Sequence, residues 1–168
     1  MDLVLGELLT DNKTYVEQIA NGLWLILEES TWTWPAHLYM QKAGEGMPDP
    51  SQWVIDLGAG ESSAYVAWIR LLLGDKLTKL SPMFVKRMDY ELDRRIVDTF
   101  MNNDFKNWMG FEGQKVNNWN IWINTNILMT SLLTVNDTKR LDVIKRAVMS
   151  ADNWLDWYGE DGGCDEGP

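Results

Sequence analysis

The residue types best suited to chemistry cluster in Asn117-Asn118-Trp119-Asn120-Ile121-Trp122-Ile123-Asn124-Thr125-Asn126. An Asn amide donates to a carboxylate or an oxyanion without carrying charge itself, so a row of amides can grip an anion or a developing negative charge. The run opens a helical pattern. Ile121, Thr125, Leu128, Leu132 and Val135 make one row, and Trp122, Met129 and Leu133 make a second, so most of the circumference is apolar. Such a helix is normally buried, yet Asn117, Asn120, Asn124 and Ser131 form a third, polar row. Buried amides must be hydrogen-bonded. Either they cap the helix start and tie down neighbouring loops, or they line a polar ligand groove.

The other chemical groups are sparse. His37 is the single imidazole, set among Trp32, Trp34 and Tyr39; beside Trp34 and Pro35 a lone His serves either as a hydrogen-bonded structural residue or as an acid–base group. One His and one Cys, Cys164, cannot build a protein-only zinc site, and no metal is expected. Leu57-Gly58-Ala59-Gly60 is glycine-rich but follows no strand, so it is not read as a phosphate or dinucleotide loop. No nucleophile elbow accompanies His37. The acidic end around Asp161, Asp165 and Glu166 does not have EF-hand spacing, and a solvated acidic loop is the simpler reading. Asp56, Glu61, Asp165 and Glu166 are types that serve glycoside hydrolysis in pairs, but sequence alone does not bring them together. No nucleotide or organic cofactor is implied.

Positioning falls to helices. The 168 residues suit one domain, with 45% hydrophobic and 24% charged residues, and ten tryptophans that serve a large core or stack on sugar rings. A net charge of −10 argues against broad capture of nucleic acid or an anionic membrane, and no apolar run has transmembrane length. A short apolar piece, Leu3 to Leu9, precedes a helix patterned on Val16, Ile19, Ala20, Leu23, Trp24 and Leu27, with Thr10 or Asp11 as its cap. Residues 30–56 break pattern with three prolines and many aromatics, as a packed functional loop would. A helix from about Gly60 to Leu73 ends at Gly74. Ser81-Pro82 opens the next, with Phe84, Met88, Leu92, Ile96 and Phe100 in one row. After a loop over 102–115 comes the Asn-rich helix to about Val135, and then a last helix with Leu141, Ile144, Val148, Ala151 and Leu155 facing inward. No strand is expected. The fold class is all-α.

Five segments in order resemble the helical part of the heparinase II/III-like polysaccharide lyases. They are Trp32-Thr33-Trp34-Pro35-Ala36-His37; Asp56-Leu57-Gly58-Ala59-Gly60 running into a helix; Arg94-Arg95-Ile96; Asn117-Asn118-Trp119-Asn120; and Asp161-Gly162-Gly163-Cys164-Asp165-Glu166-Gly167-Pro168. Each is weak alone, and the ordered set is fairly specific. The resemblance implies an incomplete (α/α) toroid of antiparallel helical hairpins, with residues 1–168 forming one helical domain of a larger, exported (periplasmic or secreted) bacterial lyase. Its partner would be an acidic polysaccharide, glycosaminoglycan-like or alginate-like, cleaved by β-elimination. Asn118, with Asn117 second, would neutralise the uronate carboxylate and so acidify the neighbouring C–H. His37 would act beside them. Trp32, Trp34, Trp119, Glu166 and Arg95 would line the substrate groove. The acidic charge is in tension with a polyanionic partner, and a local basic patch built partly from Arg70, Arg87, Arg94, Arg95 or a missing domain would offset it; the other reading of Arg94 and Arg95 is a salt bridge with Asp93, Asp98 or another helix. The resemblance also implies a general-base Tyr just after Glu166-Gly167-Pro168 and a second His in a β-rich portion. Neither is within the 168 residues, so the chain by itself is expected to be inactive. Two other readings stay open: an α/α-toroid glycoside hydrolase, and a non-catalytic carbohydrate-binding helical domain.

Overall fold

The structure, a computed structural model, describes residues 1–163. Within them every regular element is helical: α1 (Asp2–Thr10), α2 (Val16–Glu28), a 3-10 helix (Pro35–Met40), α3 (Leu57–Leu80), α4 (Met83–Leu92), a π-helical turn (Asp93–Val97), α5 (Asp98–Asn102), α6 (Trp119–Thr134) and α7 (Asp137–Leu155). The all-α class holds. None of these helices is long and apolar enough to cross a membrane.

The core follows from two doubled-back helix pairs. α3 packs on α4 and α6 on α7. Only two residues join each pair, so the chain must reverse between them. α3 and α6 then lie side by side and bring the pairs together. Their shared interior is fully apolar at Leu73, Leu77, Met88, Leu92, Ile96, Phe100 and Ile123. The row from Met88 to Phe100 repeats every four residues, whereas an α-helix turns in 3.6. The wider π turn at Asp93–Val97 takes up that drift and keeps Ile96 and Phe100 inside.

Several boundaries and faces differ from the sequence reading. α3 does not stop at Gly74 but runs through it to Leu80, because Gly74 faces Val85 of α4 at ordinary contact distance and needs no turn. Asp11 does not cap α2. It ends α1 in the left-handed conformation, and the first amides of the following segment are met by buried Glu7, which accepts from Lys13 N at 3.1 Å and Tyr15 N at 3.1 Å. In α6 the inner face is Asn120, Ile123, Asn124, Ile127, Thr130 and Ser131, the polar row rather than the apolar ones. In α7 it is Val143, Ala147 and Ser150, while Leu141, Val148 and Leu155 stay exposed. The polar groups stay inside because they find partners there: Asn120 and Asn124 bond Ser150 of α7, and Thr130 Oγ1 meets Ser63 Oγ of α3 at 2.9 Å.

Candidate functional site

Asp56 begins the site. Fully buried at the N-terminus of α3, its Oδ1 accepts from Ala59 N at 2.8 Å, a helix cap. Its Oδ2 accepts from Trp34 N at 3.0 Å and from His37 Nδ1 at 2.5 Å. A carboxylate that caps a helix accepts from both neighbours, so His37 carries its proton on Nδ1 and leaves Nε2 for other work. One side chain therefore fixes the proline-rich loop to the helix and orients the only imidazole. Gly58 completes the fit. The Trp34 indole lies so close over it that a Cβ there would fall 2.2 Å from the ring, which explains the glycine-rich stretch without any phosphate.

His37 sits in an aromatic nest: Trp34 stacks at 5.7 Å, Tyr39 meets it edge-on at 6.5 Å, and Trp119 lies 4.4 Å away. Trp119 is the first residue of α6, so the His37 loop and the head of the Asn-rich helix are in contact. Asn117 and Asn118 immediately precede it and are exposed. Asn117 Oδ1 accepts from Trp119 N at 3.1 Å. Both asparagines line a cleft of about 390 Å³ with Lys115, Trp154, Trp157, Tyr158 and Asp161. Asn118 also lines a second hollow of about 270 Å³ with Trp34, Leu57, Glu61, Ile121 and Trp122. Asn118 is the shared wall. Tyr158 Oη in the first cleft donates to Gly162 O at 3.0 Å.

The deeper asparagines do something else. Asn120 and Asn124 are fully buried. Asn120 Nδ2 donates to Trp108 O at 2.8 Å and Ser150 O at 2.8 Å, and Asn124 Nδ2 donates to Ser150 Oγ at 2.9 Å. Ser150 Oγ in turn donates to Met109 O at 3.0 Å. This network ties the loop over 102–118 to α6 and α7. Of the two readings of the polar row, the tie to neighbouring loops applies to Asn120 and Asn124, and the cleft-lining one to Asn117 and Asn118.

Two expected substrate contacts are corrected. Trp32 is 4% exposed and Arg95 3%, so neither presents a face to a glycan. Trp32 Nε1 donates to Ile26 O at 2.8 Å, and the Arg95 guanidinium lies 5.0 Å over its ring. Arg95 bonds buried Glu91 and donates to Glu29 O at 2.6 Å, which binds the end of α2 to α4. Burial pulls the Arg95 pKa below its ordinary value against the pull of Glu91. Arg94 and Arg95 take the salt-bridge reading instead of the basic patch, with Glu91 as partner where Asp93 or Asp98 was expected; Arg87 also pairs with Glu91, and Arg70 pairs with Asp89. Lys139 is held above its usual pKa, since Asp93 and Asp98 outweigh the opposing effect of burial. Glu166, Asp165 and Cys164 lie outside the described residues. Among the described residues no group of His, Cys, Asp and Glu could hold a metal ion.

Sequence reasoning does not place Trp122, Trp154, Trp157, Tyr158 or Lys115 in a cleft, and it names Glu61 only among the possible hydrolytic carboxylates. The row through Trp122, Met129 and Leu133 reads as buried, yet Trp122 is 51% exposed. The aromatic spacing of Trp154, Trp157 and Tyr158 was the available signal. No protein-family model matches the chain, and no curated protein matches it. The resemblance to the heparinase II/III-like lyases rests on the five motifs.

Proposed function

We propose that the cleft at the head of α6 binds a uronate-bearing polysaccharide, and that the chain is the helical part of a lyase that cleaves such a polymer by β-elimination. The observation that carries this reading is the position of Asn118: exposed, shared by two aromatic-walled hollows, and one residue from the Trp119 ring that touches His37. Exposed indoles and phenols at Trp34, Tyr39, Trp122, Trp157 and Tyr158 offer flat apolar faces for the C–H faces of sugar rings. The amides of Asn117 and Asn118 are donors for a carboxylate, and those donors strengthen as the carboxylate gains enolate character. His37, with Nδ1 committed to Asp56, has Nε2 to exchange a proton.

A toroid of antiparallel hairpins belongs to the same proposal. It is supported by two doubled-back pairs set side by side through α3 and α6. The exposed apolar residues of α7, Leu141, Val148, Met149 and Leu155, form the kind of face that a further hairpin covers. Export to the periplasm or beyond is part of the reading, as is the supply of the general base from outside the described residues.

The test is calorimetric binding of a panel of uronate oligosaccharides to the 168-residue chain, alongside ultraviolet detection of unsaturated product from the parent lyase. Asn118→Ala removes a charge-assisted hydrogen bond and should weaken binding roughly 10- to 100-fold. Asn118→Asp, which sets like charges together, should weaken it further. Unchanged affinity in both variants, or hydrolysis without an unsaturated product, rules the reading out.

A further inference from the structure

We propose that Asp56 is a positioning residue that presents His37 to the ligand as a hydrogen-bond acceptor at Nε2, so that the group met there is a hydroxyl and not a carboxylate. This rests on the uronate-binding reading above and assigns a further contact of that same site.

Asp56 has no freedom to change its part. Its Oδ1 accepts from Ala59 N at 2.8 Å, and its Oδ2 from Trp34 N at 3.0 Å and His37 Nδ1 at 2.5 Å. Two of these three donors are backbone amides, which can only donate. The side chain is fully buried, so no rotation toward solvent offers the carboxylate other partners. With both oxygens accepting, Nδ1 must donate. In the neutral imidazole the second nitrogen then holds a lone pair and no proton. Trp34, stacked at 5.7 Å, and Trp119, at 4.4 Å, hold the ring in that setting. Nε2 makes no hydrogen bond among the described residues and is still reached by solvent, in a side chain 15% exposed.

The polarity of that nitrogen selects its partner. A carboxylate has only lone pairs to set against another lone pair, whereas a hydroxyl donates to it. A uronate carries both groups, and the proposed site offers each a different partner. The amide donors at the head of α6 suit the carboxylate; Nε2 suits a ring hydroxyl. The other ring neighbours of His37 are the indoles of Trp34 and Trp119 and the phenol ring of Tyr39, and none of them alters which nitrogen carries the proton.

His37 is the only imidazole in the chain, so its ring nitrogens can be read without ambiguity. The experiment records long-range proton–nitrogen NMR correlations of the isotope-labelled 168-residue chain, at a pH high enough that the ring signals no longer move. Nδ1 should give the signal of a protonated nitrogen and Nε2 that of a bare one. Asp56→Asn keeps a residue that caps helices equally well. Its oxygen stays with Ala59 N, its NH2 turns to Nδ1, and the pattern should reverse, with the proton on Nε2. Trigalacturonate added to the wild type should then shift Nε2 in the direction of an accepted hydrogen bond and leave Nδ1 in place. A proton on Nε2 in the wild type, or a wild-type pattern in folded Asp56→Asn, overturns the positioning role; a purely structural Asp56 predicts the second result. If the variant does not fold, the wild-type spectra decide alone. Saturation with trigalacturonate that leaves Nε2 unmoved overturns the hydroxyl contact while the uronate site stands. Failure of the oligosaccharide to bind removes the uronate reading and the hydroxyl contact with it.

Discussion

Asn120 offers the sharpest test of how the cleft is held. Its Nδ2 has two protons and two carbonyl partners at 2.8 Å, Trp108 O in the preceding loop and Ser150 O on α7, all within a fully buried interface. Asn120→Ala deletes both bonds and leaves the Trp108 carbonyl buried without its amide donor. At about 1–1.5 kcal/mol for each bond, with a further 1 kcal/mol or so for the stranded acceptor, the loss is about 3–4 kcal/mol. Asn120→Asp is nearly isosteric and separates packing from polarity. Its carboxylate would face carbonyl oxygens, so the folded state favours the protonated acid and the folded pKa rises above the unfolded value of about 3.9. The sign follows: the aspartate variant is least impaired below about pH 4 and loses stability as pH rises, until the raised folded pKa is passed. Urea unfolding followed by tryptophan fluorescence, repeated across this range, measures both effects. A destabilisation under about 1 kcal/mol for Asn120→Ala, or a pH-independent one for Asn120→Asp, would refute the assignment. Because the network anchors the loop that leads into Asn117 and Asn118, both variants should also weaken oligosaccharide binding.

Gly58→Ala puts a methyl where the Trp34 indole lies, 2.2 Å from the ring. The ring must leave, costing about 1–3 kcal/mol, and oligosaccharide affinity should fall as the Trp34 wall is lost; thermal unfolding and calorimetry on the same sample check both. The join of α1, α2 and α3 should be acid-sensitive. Lys76 Nζ, bonded to Glu7 at 2.5 Å, holds the Glu7 carboxyl below its usual 4.5, with the amides of Tyr15 and Lys13 adding to the effect and burial opposing it. A lowered folded pKa contributes stability that is complete above the unfolded value and disappears as pH falls through the folded one. Stability should therefore decline below about pH 4.5, and Glu7→Gln should flatten that acid limb in pH-dependent denaturation curves.

Where a residue's own chemistry decides its place, the sequence was a reliable guide. Met88, Leu92, Ile96 and Phe100 are all buried because four large apolar side chains on one row have nowhere cheaper to go. Of Asn136 and Asp137, either of which could start the last helix by its residue type, Asn136 does so, accepting from Lys139 N at 3.2 Å. Where a distant partner decides, the pattern misled. Leu141, Val148 and Leu155 read as the inner face of α7 but are exposed, because Ser150 is turned inward to meet Asn120 and Asn124 of α6. Trp32 reads from its type as a groove residue and Arg95 as either a sugar contact or a salt-bridge partner, and only the fold shows them packed together against Glu91 and the end of α2. Such partners lie tens of residues apart, and periodicity carries no information about them.

The same distinction explains why the candidate site was half visible. Its visible half, Asn117, Asn118, Trp34, Trp119 and His37, consists of residues whose types advertise ligand chemistry. The other half consists of two buried polar residues that the sequence names without their partners: Asn120, in the polar row, and Asp56, among the carboxylates. An unpaired carboxylate or amide inside a core is expensive enough that each must find several donors or acceptors. Asp56 meets that need with Ala59, Trp34 and His37, and thereby sets the imidazole; Asn120 meets it with Trp108 and Ser150, and thereby sets the loop before Asn118. The two sides of the cleft are positioned independently, one from the head of α3 and one from the head of α6. They meet where Trp119 touches His37. Loosening either buried residue should thus displace one wall while the other keeps its geometry.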